Sequence, residues 1–304
     1  MSSTAEVLSA EALKAISDQI DICDELARDA TCSGDCQHDI DEGEDIFSRL
    51  QIDYSTPLYN SSKTPKIHFI VPTSQSDWQH EACLEKPESV QANISRWCQN
   101  NLEKFVDVSE GGSMNCNVTS LPLNIMDIQA MKGVKNNVLI LPHFLWIHDL
   151  KSENVNNVLD DLVPALLENK IDKRAMLAKK PYLSEAREQS FVFICSHKTR
   201  DKRCGVTAPA LKRTFDKELQ AFGLFRDNSD FRPNGVNVSF INHVGGHKFA
   251  ANMLIYLKKS NTLIWLGRVT PRNVPLVVKS LIIPENAALP WPEKVRCIKK
   301  YQIW

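Results

Sequence analysis

The sequence has no excess of charge of either sign and no long apolar run. Its 36 basic and 37 acidic residues give a net charge of −1 at neutral pH. No global field therefore favours nucleic acid or an anionic membrane as a partner. The longest apolar runs, such as residues 138–141, fall far short of the roughly 20 residues that a transmembrane helix needs. We therefore expect a soluble chain with no nucleic-acid partner and no membrane partner.

The N-terminus also lacks the features of a targeting signal. Acidic residues precede the first base, Lys14, whereas secretory signals begin with bases and mitochondrial presequences are rich in arginine. The 9 cysteines are an odd number, which in a chain without an export signal indicates reduced thiols or metal ligands rather than disulfides. The expected location is the cytoplasm, with the nucleus left open.

Alternating strand and helix patterns predict an α/β protein with two folded parts. A length of 304 residues is enough for two hydrophobic cores. The expected fold is a C-terminal thioredoxin-like domain preceded by a second α/β domain. Four segments are predicted: an N-terminal helix, cysteine segment and linker over 1–65, an α/β domain over 66–188, the thioredoxin-like domain over 189–283, and a tail over 284–304.

The second half has the order of elements found in thioredoxin-like folds. Strands are predicted over 190–195 and 236–241, and a helix is predicted between them from Thr207 to about Phe222. A strand hairpin over 253–267 and a last helix over 274–282 follow. The order is strand, helix, strand, turn, strand, strand, helix. In the first half, an amphipathic helix is predicted over 9–28.

Two pairs of metal-ligand residues follow strands of this half. Cys195 and Cys204 have eight residues between them, and His243 and His247 have three. Thiolates and imidazoles at strand ends form a soft-ligand set that is typical of a metal site. The two glycines between the histidines predict a tight turn, because each glycine costs about 1 kcal/mol in a helix interior. Such a turn would let both rings point the same way.

Spacing alone leaves several interpretations of this site open. An iron–sulfur cluster and a structural zinc ion both use such ligands, although the intervals here are longer than those of zinc fingers. A buried Cys195 beside an ordinary turn would bind no metal. A thiol-exchange site fits less well, because the chain has no Cys-x-x-Cys. His197 is an alternative ligand, since it lies two residues from Cys195.

Three further cysteines, Cys23, Cys32 and Cys36, lie close together near the N-terminus. They could form a metal or redox site, or they could be exposed reduced thiols in a turn. Only His38 lies nearby as a further ligand, so the pattern is not that of a known site. Their role stays open.

The motifs resemble those of the sucrase/ferredoxin-like family. The residues that carry the resemblance lie at 193–205 and 242–250, with further matches at 32–36, 61–68, 265–271 and 300–304. The resemblance implies a thioredoxin-like ferredoxin that holds a 2Fe–2S cluster through Cys195, Cys204, His243 and His247. In the usual thioredoxin-like ferredoxin the second pair is Cys-x-x-x-Cys, so this chain keeps the spacing and changes the ligand.

Two histidine ligands change the charge of such a cluster. Four thiolates make an oxidised cluster a dianion, whereas two thiolates and two neutral imidazoles leave it uncharged. Rieske centres accordingly lie at roughly −150 to +300 mV, against about −400 mV for plant-type ferredoxins. We expect a high, pH-dependent redox potential. The segment between Cys195 and Cys204, the first ligand loop, carries four basic residues: Lys198, Arg200, Lys202 and Arg203. Their positive charge should raise the potential further and attract an acidic redox partner.

The expected function is electron transfer rather than stand-alone catalysis, with a redox partner that the sequence does not identify. The ending at Trp304 is similar to the aromatic tails with which client proteins dock on the cytosolic iron–sulfur assembly and targeting complex. Two alternatives stay open. One is a redox or iron sensor that uses the same cluster, and the other is a zinc-stabilised, non-catalytic factor in actin organisation.

Overall fold

The chain forms two compact units, each built of helices and strands. The computed structural model describes residues 8–24, 37–167, 172–227 and 230–302. The first unit comprises the described residues of Met1–Ser62, Glu188–Ser239 and His243–Lys300. The second comprises those of Lys63–Arg187, Phe240–Asn242 and Tyr301–Trp304. None of the described helices is long and apolar enough to cross a membrane.

The helices and strands alternate along most of the chain. The helices are α1 (Ala10–Ser17), α2 (Gln37–Ser48), α3 (Val90–Phe105), α4 (Ile128–Lys132), α5 (Val155–Leu167), α6 (Lys173–Lys179), α7 (Lys202–Ala221) and α8 (Val274–Val277). The strands are β1 (Asp21–Ile22), β2 (Thr64–Pro72), β3 (Gly112–Thr119), β4 (Lys135–Leu141), β5 (Leu145–Lys151), β6 (Leu183–Glu185), β7 (Ser190–Cys195), β8 (Val236–Ile241), β9 (Met253–Leu257), β10 (Thr262–Leu266), β11 (Ala288–Leu289) and β12 (Val295–Lys300).

The second unit packs helices against a mixed sheet in the order β3-β2-β4-β5-β6. Strands β2 and β3 are parallel, and the other neighbours are antiparallel. Helices α3 and α5 bury their apolar faces in a core with β2, in which Trp97 meets Phe69 edge to face at 6.4 Å. The second unit is thus a mixed α/β arrangement.

The first unit has a sheet in the order β12-β10-β9-β7-β8. Strand β7 is buried at every residue and pairs with β9 in antiparallel register, and β9 pairs with β10 in the predicted hairpin. The elements from β7 to α8 follow one another in the predicted thioredoxin-like order. The α/β fold class is therefore confirmed.

Helix α7 begins five residues earlier than predicted, and this changes the setting of Cys204. The prediction started the helix at Thr207 because proline is tolerated in a first turn. The helix starts at Lys202 instead, because the Asp201 side chain accepts a hydrogen bond from the backbone N–H of Arg203 at 2.9 Å and caps it. Pro209 lies inside the helix. Cys204 thus lies in the first helical turn and not in a loop.

Two other segments differ from their predicted form. The helix predicted over 9–28 ends at Ser17, and β1 follows at Asp21–Ile22; residues 25–28 lie outside the described part of the chain. The predicted tail contains β12, which pairs with β10 in antiparallel register and buries Val295 and Cys297. The four predicted segments stay a prediction as domains.

Candidate metal centre

All four predicted ligands lie in the first unit, at the ends of its central elements. Cys195 is the last residue of β7, and Cys204 is the third residue of α7. His243 follows the end of β8, and His247 opens a 3₁₀ turn over His247–Phe249. The turn between the histidines forms as predicted, with Gly245 and Gly246 at φ values of 84° and 66°.

The two thiols are fully buried and interact with each other. The pKa of Cys195 lies well below its ordinary value, because the Cys204 thiol donates a hydrogen bond to its sulfur; His243 and the backbone N–H of His197 lower it further. The pKa of Cys204 is raised in turn, since Cys204 keeps the proton that it donates. The lowered pKa favours the thiolate of Cys195, which is the form that binds metal.

The two imidazoles lie side by side and are more exposed than the two thiols. Their ring centroids are 5.3 Å apart at an angle of 37°. The Nδ1 atoms of both rings are buried and have no hydrogen-bond partner. Buried polar atoms are nearly always satisfied, and an unmet one is costly. Two such nitrogens on adjacent rings are candidate metal ligands.

The other ring nitrogen of His247 lies near a carboxylate. Its Nε2 atom is 3.8 Å from Oδ2 of Asp201. The pKa of His247 is lowered by burial, and the Asp201 carboxylate opposes that shift. Asp201 is held in place by Arg203, whose Nη2 donates to it at 2.8 Å. Carboxylates behind a ligating imidazole fix its tautomer and orientation.

His197, the alternative ligand, has another role in the structure. It is buried, and its Nδ1 atom accepts a hydrogen bond from the backbone N–H of His243 at 3.1 Å. This nitrogen is therefore used to hold the histidine turn. His197 supports the site through both pairs, because its own backbone N–H faces the Cys195 sulfur.

The described structure does not gather the four predicted ligands into a site for a single metal ion. The described residues contain no group of three or more His, Cys, Asp or Glu side chains that could surround one metal ion. A structural zinc ion needs four ligands around itself. A Rieske-type 2Fe–2S cluster needs two thiolates on one iron and two imidazoles on the other. The Cys195–Cys204 pair and the His243–His247 pair are the two kinds of ligand that such a cluster would use.

Of the other cysteine group, the structure describes only Cys23. Cys32 and Cys36 lie outside the described residues. The Cys23 thiol donates to the backbone oxygen of Ala288 at 3.4 Å. The sequence analysis did not identify three residues that contact the candidate site. Asp201 lies near His247, the backbone oxygen of Asn252 accepts from the N–H of Cys195, and Arg296 donates to the backbone oxygen of Gly245.

Comparison with known proteins places the site in a family. Residues 58–297 match the family model described as sucrase/ferredoxin-like. The chain belongs to the sucrase/ferredoxin-like family. The match runs from before β2 to the first half of β12 and includes all four predicted ligands. No solved structure matches the chain.

Two similar proteins differ in how much of the chain they match. The chain is 60% identical to Actin patches distal protein 1 of Saccharomyces cerevisiae over 302 residues, which is 99% of this chain and 96% of the relative. It is also 33% identical to Altered inheritance of mitochondria protein 32 of Candida glabrata over 115 residues, 34% of this chain and 33% of that protein. The first similarity covers both units, whereas the second is local.

Proposed function

We propose that the chain is an electron-transfer protein that holds a 2Fe–2S cluster through Cys195, Cys204, His243 and His247. The observation that carries the proposal is the pair of buried, unpartnered Nδ1 atoms beside two buried thiols. The cluster, when bound, supplies a one-electron couple. The chain acts as a carrier rather than as a stand-alone enzyme.

Each ligand pair contributes a different property. The backbone N–H of His197 stabilises negative charge on the sulfur of Cys195. Cys204 lies in the first turn of α7, where the helix dipole would favour a bound thiolate. The imidazoles are neutral ligands, and the His247 side chain is 44% exposed. The buried thiols exclude water from one side, and the exposed ring gives a redox partner an edge through which an electron can pass.

Metal analysis and spectroscopy of protein purified without oxygen test this proposal. We expect equal amounts of iron and acid-labile sulfide, and an electron paramagnetic resonance signal after one-electron reduction. Cys195→Ala and His247→Ala should lose both. Cys98→Ala, which changes a buried thiol of the second unit, and His80→Ala, which changes an exposed ring, should keep both. A colourless wild-type protein that contains zinc would overturn the proposal.

A second candidate function is a non-catalytic role in the organisation of actin patches. It is favoured by the 60% identity to Actin patches distal protein 1 over nearly the whole of both chains. For the cellular role, the comparisons support this candidate better than they support electron transfer. It implies a cytoplasmic, cortical location. The two candidates are compatible if the cluster serves that role.

Complementation tests the second candidate. We expect this chain to restore the distribution of actin patches in Saccharomyces cerevisiae that lacks the relative, observed by fluorescence microscopy. Comparison with the Cys195→Ala variant separates the two functions, because restoration by the variant would show that actin patches do not depend on the metal centre. Failure of the wild-type chain to restore the patches would contradict the actin role.

Electron transfer through a 2Fe–2S cluster requires one partner that delivers the cluster and another that exchanges the electron. We propose the cytosolic iron–sulfur assembly and targeting complex for delivery, through Trp304, which lies outside the described residues. The redox partner is proposed to be acidic on the surface that meets the basic first ligand loop.

A further inference from the structure

A buried arginine lies directly beneath the histidine turn. Arg296 on β12 is only 2% exposed. Its Nη1 atom donates to the backbone oxygen of Gly245 at 2.9 Å and to Oδ1 of Asn252 at 2.8 Å. Its Nε and Nη2 atoms donate to the side-chain and backbone oxygens of Ser61, both at 3.0 Å. The guanidinium thus binds one of the glycines between the two proposed histidine ligands.

The acceptors of Arg296 are all neutral. No carboxylate among the described residues pairs with it, and two aromatic rings cover its faces, Trp265 at 5.0 Å and Phe249 at 5.4 Å. Burial lowers the pKa of Arg296 to about 10, and the nearby thiols oppose that shift, Cys297 most and then Cys195 and Cys204. A buried charge is normally paired, because removal from water is costly. None of the hydrogen-bond partners of Arg296 therefore neutralises its positive charge.

Arg296 also connects the two ligand pairs through one residue. Asn252, which accepts from Arg296, donates from Nδ2 to the backbone oxygen of Gly246 at 2.9 Å. The backbone oxygen of Asn252 accepts from the N–H of Cys195 at 3.0 Å. Arg296 and Asn252 thus fix the histidine turn relative to the end of β7.

The close approach of the Arg296 side chain to the turn explains why residue 246 is a glycine. A Cβ atom built on Gly246 would lie 2.5 Å from Nη2 of Arg296, whereas one on Gly245 would meet nothing within 4 Å. The guanidinium therefore occupies the space that any side chain at 246 would need.

We propose that Arg296 is the counter-charge and positioning residue of the metal centre, holding the histidine turn and stabilising negative charge on the cluster and its thiolates. The inference rests on the proposed function. Reduction adds one negative charge close to a fixed positive charge in a medium of low dielectric constant. Arg296 therefore favours the reduced state and raises the redox potential.

The inference is tested by the potential of the reconstituted 2Fe–2S protein, measured by dye-mediated titration, with electron paramagnetic resonance of the reduced form. We expect Arg296→Gln to have a lower potential than wild type. Arg296→Lys keeps the charge but not the planar fork, so its potential should fall less while its resonance spectrum changes. Arg272→Gln, which removes an exposed arginine of the same unit, is the matched control and should leave both unchanged.

A second variant tests the charge without removing the arginine. Asn252→Asp places a carboxylate against Arg296 and should lower the potential as Arg296→Gln does, which covers the case in which Arg296→Gln does not fold. A wild-type potential in the loaded Arg296→Gln and Asn252→Asp proteins would overturn this inference and leave the proposed function standing. Failure of the wild-type protein to bind iron and sulfide would overturn both.

Discussion

At the scale of single residues, the identity of the second ligand pair determines the charge of the proposed centre. The double variant His243→Cys/His247→Cys replaces two neutral ligands by thiolates and makes the oxidised cluster a dianion. We expect its potential to fall by a few hundred millivolts, roughly the interval between Rieske and plant-type centres. Potentiometric titration measures the change, and the single variants should lie between the two. An unchanged potential would exclude the two histidines as ligands.

A buried histidine in the second unit makes stability depend on pH. His68 is fully buried, its Nε2 lies 2.8 Å from Oδ1 of Asn117, and burial lowers its pKa from 6.5 to about 4. The unfolded chain takes up this proton near pH 6.5, but the folded chain does so only near pH 4. Stability is therefore full above pH 6.5 and declines as the pH falls towards 4, by about 3 kcal/mol in total.

The variant His68→Gln removes this titration. We expect its free energy of unfolding, measured in urea, to depend less steeply on pH between 6.5 and 4 than that of the wild type. His80→Gln, at an exposed ring, should keep the wild-type slope. Equal slopes for all three proteins would be incompatible with a neutral buried imidazole at 68.

The sequence predicted the ligand candidates because they stand in short motifs at strand ends. His197 was identified as close to the site but in a different role. Its acceptor role for the His243 backbone depends on how two loops meet. Arg296 could not be found, since it lies in a segment that the prolines and lysines made look like a tail. Contacts between residues far apart in the chain have no local pattern.

At the scale of elements, the histidine turn offers a matched pair of glycines. Both have positive φ, so an alanine at either should cost about 1 kcal/mol from backbone strain alone. Only at Gly246 would the added methyl group also meet Arg296. We expect Gly246→Ala to lower the melting temperature and the bound iron more than Gly245→Ala does. Equal effects would contradict the close approach of Arg296.

The N-terminus of α7 makes a second prediction about an element. Asp201 caps the helix that carries Cys204. Asp201→Ala should destabilise the first unit by about 1 kcal/mol, whereas Asp201→Asn keeps a side-chain acceptor and should cost less. Thermal unfolding followed by circular dichroism compares the two variants, both of which lack the carboxylate. If they melt at the same temperature, the cap contributes nothing.

Element boundaries were less predictable than element types, and α7 shows why. Proline at 209 suggested a helix start nearby, because a proline in a first turn costs no hydrogen bond. The structure starts the helix at the Asp201 cap and keeps the proline in its interior. Strand β12 was missed for a different reason, since an edge strand that follows a proline-rich stretch has little apolar alternation of its own.

At the scale of the whole molecule, the near-zero net charge leaves local charge to control encounters with a redox partner. Lys198 and Lys202 are exposed beside the ligand loop. At an ionic strength of 0.15 M the screening length is about 8 Å. Only charges near the centre can therefore influence a partner that approaches it. The chain as a whole contributes no net field, because its 36 basic and 37 acidic residues nearly cancel.

Oxidation of the reduced, cluster-loaded protein by ferricyanide, an anion, tests this local field. We expect the rate, measured by stopped flow, to fall as salt is added and to be several-fold lower in Lys198→Glu/Lys202→Glu. Lys259→Glu is the control, because Lys259 follows β9, which runs antiparallel to β7 and away from Cys195. A double variant that reacts at the wild-type rate, with the same dependence on salt, would show that the basic loop does not attract the partner.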